Sequence, residues 1–377
     1  MGIVIVGIDE AGYGPRLGPL AVGMSAWRVR NWTPSPESPV KAPNLWSLLR
    51  GAVCKAPSRS SDRIAIADSK ALKLPNQWES VPELNASDGA APTALRSSLA
   101  EGASVVEAKP ARHPLLHLER GVLAGVRAMH GELPGDDDAL LTRLGACWPA
   151  HDWYCCPPTP MPLACDAAQL RLAGNMLAAA MSRAGVELVG LSCVLVGEEQ
   201  FNRIARAAGS KGDCVLAGVG VHLRAALAQW GGTAGSGLGG DSGDALWVVC
   251  DRLGGRASYA GVLRSSLEES ADPSIDVVEE SDRRSRYMLR TRNATAGVSF
   301  ITEGEQSHLP IAMASMVAKL TRELAMARFN RFWCDRARRA GLTLRATAGY
   351  AQDGGRWLRD ADCILTRQER ECLVRLV

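Results

Sequence analysis

The sequence predicts an α/β fold, and three observations carry that expectation. The run Ile3-Val4-Ile5-Val6 is β-branched throughout and stops at Gly7, as a buried central strand does. A second apolar run, Ala245-Leu246-Trp247-Val248-Val249-Cys250, ends in the same manner at a carboxylate, Asp251. Segments of helical spacing alternate with such runs. One is Asp166 to Arg183, where Leu170, Leu172, Met176, Leu177, Ala180 and Met181 recur near a single face.

The first strand passes directly into Gly7-Ile8-Asp9-Glu10-Ala11-Gly12-Tyr13-Gly14-Pro15-Arg16-Leu17-Gly18-Pro19-Leu20. A buried strand has no reason to finish in two adjacent carboxylates, because each loses hydration and repels the other unless a cation neutralises both. A hard metal ion is the economical explanation. An acidic strand end followed by a plain glycine turn is the alternative that these residues alone leave open. Gly12-Tyr13-Gly14 lacks bulk where a ligand's backbone can approach, and Pro15 and Pro19 stiffen the turn.

Composition bounds the class. A chain of 377 residues suggests about two domains, or one domain carrying a large insertion. Hydrophobic residues at 46% and charged residues at 22% suit a globular protein. No apolar run reaches the roughly 18 residues that a membrane span needs. The strand begins almost at once, with no basic region and signal-type apolar segment before it, so a cytoplasmic location is expected. Eleven cysteines are scattered without a C-x-x-C pair, which suggests reduced thiols rather than disulfides. Cys155-Cys156, with Cys147 and Cys165 nearby, is their only local concentration and lacks zinc-ligand spacing. A net charge of +3 implies no nucleic-acid partner by itself, so local clusters must carry that argument.

Taken in order, residues 20–30 read as a second strand, broken by the Pro/Ser-rich stretch from Thr33 to Pro43. Asp68-Ser69 before Lys70 and Leu72 has the form of a helix N-cap. No chemical motif appears from about Pro75 to Val189, although 110–130 suggests a helix, Glu132 to Asp138 a solvated acidic turn, and Pro149 to Pro162 a connector whose aromatics pack locally. A strand is expected over 187–196, and helices over 198–207 and 211–230. A glycine-rich linker from Gly231 to Gly243 follows. Beyond Asp251, Arg252, Arg256, Arg283, Arg284, Arg286, Arg290 and Arg292 make the most basic part of the chain, either a solvated loop or a phosphate contact. Phe300 to Glu323 reads as strand, turn and helix, with Pro310 near the helix start, where its missing N–H costs least. Ser315, Lys319 and Arg322 then share one helical face. Its position after a third acidic site suggests that this face meets phosphate. The small residues Ala312, Ala314 and Ala318 let the helix lie close to the sheet.

Together these motifs resemble the type II ribonucleases H (the ribonuclease HII family). The opening GIDEAGxGPxxGPL and the DSKxL at Asp68 to Leu72 occur in the family's order. Ile311 to Glu323 is similar to its signature AAASIVAKVTRD, and Glu303-Gly304-Glu305 stands where the family has KGD. The resemblance implies a mixed sheet flanked by helices, built from residues 1–74 and 190–377, with 75–189 as a large inserted segment. Carried over residue by residue, the catalytic and metal-binding carboxylates fall on Asp9, Glu10, Asp251 and Glu305, with Mg²⁺ or Mn²⁺ as the expected cofactor. Gly12-Tyr13-Gly14 stands at the loop that senses a ribonucleotide's 2′-hydroxyl, and Tyr350 at the tyrosine that stacks on the sugar. Lys70, Ser315, Lys319 and Arg322 complete the expected substrate contacts.

The implied activity is hydrolysis of the RNA strand of RNA–DNA hybrids, leaving 3′-hydroxyl and 5′-phosphate ends. The implied partner is a hybrid or ribonucleotide-containing duplex. Three positions depart from the family pattern: Tyr13 replaces an arginine, Glu303 a lysine and Glu305 an aspartate. A non-catalytic or retargeted nucleic-acid-binding relative would also explain these changes.

Overall fold

The computed structural model describes residues 2–32, 42–58, 62–74, 113–231, 244–267, 273–292 and 294–376. The break from Thr33 to Pro43, the link from Gly231 to Gly243 and the first part of the 75–189 segment lie largely outside them. The chain opens with β1 (Gly2–Ala11) and β2 (Leu20–Arg30), followed by α1 (Leu45–Leu48), β3 (Val53–Cys54), β4 (Ile64–Ala65) and α2 (Ser69–Leu72). Next come α3 (Leu116–His130), α4 (Asp137–Arg143), α5 (Ala167–Ala184), β5 (Val186–Val196), α6 (Glu198–Ala208) and α7 (Gly212–Trp230). The remainder runs β6 (Ala245–Asp251), α8 (Ala260–Ser266), β7 (Ser274–Glu280), β8 (Arg284–Arg290), β9 (Thr295–Ile301), α9 (Gly304–Ser307), α10 (Leu309–Arg339), α11 (Ala351–Asp360) and α12 (Arg367–Leu373).

Seven strands form one mixed sheet in the order β5-β2-β1-β6-β9-β8-β7. β1 runs parallel to β6, and β6 parallel to β9, while β2 pairs antiparallel with both β1 and β5. The β-branched run makes β1 a central strand because both of its faces are apolar. Ile3 and Ile5 join the core on one side, and Val4, Val6 and Ile8 the core on the other, with the period of two that a pleated strand imposes.

Helix α10 lies across β1 and β2, and the sequence of the strands allows it. A Cβ at Gly7 would run into the backbone of Pro310 and Ile311, and one at Gly23 into the Ala314 carbonyl. Ser25 of β2 donates to the Pro310 carbonyl at 2.7 Å, fixing the start of the helix. Ala312, Ala314 and Ala318 are buried against the sheet. The helix continues well past Glu323. Its distal half builds a third core, in which Phe329 and Trp333 meet Trp153, Tyr154 and Trp357.

The described part of the 75–189 segment shares the sheet's core. Leu118, Val122, Leu123, Leu170 and Leu177, from α3 and α5, cluster with Ile3 and Ile5. The expected solvated turn from Glu132 to Asp138 is corrected at its end. Asp137 is buried and takes two bonds from the buried Arg328 of α10, which also reaches Asp138 and the Tyr154 and Cys156 carbonyls. A buried carboxylate needs such a partner, and that need draws this turn inward.

The arginine-rich stretch after Asp251 is corrected as well. Three of its seven arginines lie on the strand β8, where Arg284 and Arg286 pair with Glu279, and Arg290 with Asp276, across β7. Cross-strand neutralisation removes these three from any loose basic loop.

Candidate active site

Parallel β1, β6 and β9 end at the same edge of the sheet, and that edge gathers the acidic residues. Ile8 pairs with Cys250 and Asp251 with Ile301, so Asp9 and Asp251 follow side by side on neighbouring strands. Alternation turns both toward the α10 face, where Ile5 and Val249 already point. Beyond β9 the chain takes a left-handed turn at Glu303 (φ 54°), where a non-glycine residue is uncommon. Gly304 N–H then donates to Asp251 Oδ1 at 3.1 Å, and Glu305 follows in α9. The three strand ends thus bring Asp9, Glu10, Asp251 and Glu305 to one place.

Helix α2 closes the edge. Asp68 accepts from the Lys70 N–H at 2.9 Å, so the N-cap reading of Asp68-Ser69 holds, and the motif does more besides. The Ser69 and Ser315 hydroxyl oxygens lie 2.9 Å apart, and Ser315 also hydrogen-bonds Asp9. Lys70 is exposed at the rim. Burial alone would lower its pKa, but Asp68, Asp9, Glu10 and Glu305 raise it above the ordinary lysine value.

Burial dominates the electrostatics, and like charges add to it at three of the four carboxyls. Burial raises the Asp9 carboxyl well above its usual range, and Glu10 and Asp251 raise it further. Glu10 is raised by burial and by Asp251 while Lys70 opposes, and Glu305 by burial, Asp251 and Asp68. Burial also raises Asp251, against the pull of the Gly304 N–H.

The donors suit a hard divalent cation, since all are carboxylate oxygens and Glu305 Oε2 is buried without a hydrogen-bond partner. The methylenes of the Glu305 side chain give it a longer reach than an aspartate would have. Among the described residues, however, no three His, Cys, Asp or Glu side chains close around a common point. The carboxylates are gathered but not drawn up as a finished cage.

The glycine loop borders this cluster. Gly12 has φ 91°, and a Cβ there would strike the Arg322 side chain, so glycine is required. A Cβ at Gly14 would meet nothing within 4 Å, which leaves that stretch of backbone open. Tyr13 lies with Lys211 Nζ 4.9 Å from its ring centroid. Tyr350 is 48% exposed, and the Gly349 carbonyl before it accepts from the Arg16 and Leu17 N–H groups, tying it to the same loop.

The stripe expected to meet phosphate is turned inward. Ser315, Lys319 and Arg322 are all buried. Lys319 and Lys73 pair with Glu323 at 2.8 and 2.9 Å, and although burial would raise that carboxyl, the two lysines hold it down to about 2. Arg322 Nη2 donates to the Leu17 and Ala348 carbonyls. Three residues near the site escaped sequence reasoning. Ser69 carried a helix-start signal that masked its contact, whereas Lys211 and Arg375 sit in no motif.

No family model and no curated protein matches the sequence. Two solved structures are similar over almost its whole length. Ribonuclease HII in its complex with PCNA, from Archaeoglobus fulgidus, aligns at TM-score 0.38 with 11% identity, covering 99% of this chain and 94% of that one. Bst ribonuclease HIII in complex with Mn²⁺ aligns at TM-score 0.34 with 12% identity, covering 99% of this chain and 66% of that one. Both chains to which this protein is similar are ribonucleases H.

Proposed function

We propose that this protein is a metal-dependent endonuclease of the ribonuclease H type, hydrolysing the RNA strand of RNA–DNA hybrids to 3′-hydroxyl and 5′-phosphate ends. The gathering of Asp9, Glu10, Asp251 and Glu305 at one sheet edge carries the reading. Folding a sheet does not call for four carboxylates in one half-buried place, where burial raises the pKa of each and neighbouring carboxylates raise three of them further. These four residues would hold Mg²⁺ or Mn²⁺. When bound there, such ions would supply an activated water and neutralise charge on the phosphoryl and leaving oxygens.

The chain's own groups account for the rest. Ser315 and the Glu10 N–H orient the Asp9 carboxylate. Lys70, exposed beside the carboxylates, offers an ammonium to a backbone phosphate. The open backbone at Gly14 admits the sugar, and the exposed Tyr350 ring gives it a surface to stack on. In this reading 1–74 and 190–377 form the nuclease, 75–189 braces it, the partner is a hybrid or ribonucleotide-containing duplex, and the chain works in the cytoplasm. Tyr13, Glu303 and Glu305 favour the second reading, a relative that binds nucleic acid without turnover.

A cleavage assay with Mg²⁺ and with Mn²⁺ on hybrid, single-ribonucleotide duplex, DNA and RNA separates the two. The nuclease cuts only ribonucleotide-containing strands. Asp9→Asn should abolish cutting, keep the fold by circular dichroism, and abolish the rise in melting temperature that metal gives the wild type. That rise corresponds to about 2.7 kcal/mol at a hundredfold excess of metal over Kd. Undiminished cleavage by Asp9→Asn would remove the assignment.

A further inference from the structure

The glycine loop is fastened from within by a residue far from every motif, and we propose that Arg375 is a positioning residue that turns the loop's amides toward the nucleic acid. This rests on reading the adjoining edge as a nuclease site. Arg375 is 2% exposed. Its Nη1 donates to the Gly12 carbonyl at 2.6 Å and the Gly18 carbonyl at 3.4 Å, and its Nη2 to the Tyr13 carbonyl at 3.2 Å. Its own N–H donates to the Arg16 carbonyl at 2.8 Å. One residue therefore takes carbonyls from four positions of the loop, and Arg322 takes a fifth, at Leu17.

The geometry of the peptide unit supplies the consequence. In a planar trans peptide the N–H points away from the C=O. With the Gly12 and Tyr13 carbonyls bound on the inner side, the N–H groups of Tyr13 and Gly14 face outward. There the missing Gly14 side chain leaves room, and a phosphate or hydroxyl oxygen of the substrate can accept from them.

Arg375 is itself held in place. Its guanidinium lies 3.7 Å from the Phe201 ring centroid. Asn202 of α6 grips the chain on both sides, donating to the Val374 carbonyl at 2.8 Å and accepting from the Leu376 N–H at 2.7 Å. The arrangement is expensive. Burial and the neighbouring Arg322 push the Arg375 pKa down to about 10, and Arg322 keeps Nε and Nη1 without partners. Two buried guanidiniums beneath one short loop are a costly way to stabilise a turn, and an economical way to fix which side its donors face.

Arg375→Ala and Arg375→Lys test this in the full chain. A lysine keeps the charge but cannot fork across the Gly12 and Tyr13 carbonyls. Amide hydrogen exchange at Arg16 and Leu17, whose N–H groups bond the Gly349 carbonyl, should quicken at least about tenfold in both variants, and affinity for a labelled RNA–DNA hybrid without metal should fall about tenfold. In the cleavage assay KM should rise by a similar factor while kcat stays within about twofold, and added guanidinium should restore affinity to Arg375→Ala. Faster loop exchange with unchanged affinity would reduce Arg375 to a structural role and overturn the proposal, as would unchanged exchange. A wild type that binds hybrid but cuts nothing removes the catalytic reading, and the affinity comparison still decides the role of Arg375. A wild type that binds no hybrid overturns both.

Discussion

Tyr13 stands where the type II ribonucleases H that the sequence resembles have an arginine, and its surroundings bear on what that residue does. Burial raises the phenol's pKa and Glu10 raises it further, so the ring remains neutral, with Lys211 over its face. Charge that an arginine would carry on the loop is carried instead by a lysine beside it, as a point rather than a fork. The preference for a lone ribonucleotide over a continuous hybrid should therefore be weak. Tyr13→Arg is expected to raise the ratio of cleavage rates on these two substrates about tenfold, and Lys211→Gln combined with it to raise the ratio further by removing a like charge. Equal ratios for wild type and Tyr13→Arg at one salt concentration would show that Tyr13 does not set the preference. At this scale the sequence was legible wherever a residue's chemistry conflicted with its setting, as with carboxylates ending apolar strands. It was illegible where the outcome depended on a distant partner. Lys319 and Arg322 share a face with Ser315 as expected, but only the fold reveals that the face looks inward onto Glu323 and the loop carbonyls.

Elements with a single period were readable nearly to the residue. β6 and α7 follow the apolar pattern because each buries a continuous face. The hairpin β7–β8 was missed because its alternating charges read as a loop until Glu279 and Asp276 are set opposite the arginines. Helix α10 carries the element-scale predictions. Gly7→Ala should destabilise by about 3 kcal/mol or more, because the obstruction is helix backbone and cannot rotate aside. Arg328→Ala should cost about 3–5 kcal/mol, since it strands the buried Asp137 carboxylate. Denaturant midpoints measure both. An Arg328→Ala protein as stable as wild type would mean that α4 and the aromatic core do not depend on this pair.

Over the whole molecule, the buried His222 contributes to the loss of stability in acid. His222 hydrogen-bonds the Val22 carbonyl and Ser192, and burial lowers its pKa from 6.5 to about 4. The unfolded chain takes up the proton first, so the stabilisation from a neutral His222 is complete above pH 6.5 and lost as pH falls toward 4. The stability difference between wild type and His222→Gln should shrink by about 3 kcal/mol across that window. A difference independent of pH would show that His222 is not held neutral. The sheet order has a consequence for the nascent chain. β1 meets β2 at once, but its other edge waits for β6, so after residue 11 is made the ribosome must reach residue 245. At ~5–20 residues per second that interval is on the order of 10–50 s. Throughout it, one of the most apolar strands of the protein presents an open ladder of N–H and C=O groups. Synthesis, before any nucleic acid is met, is when this chain is most exposed to pairing with the wrong strand.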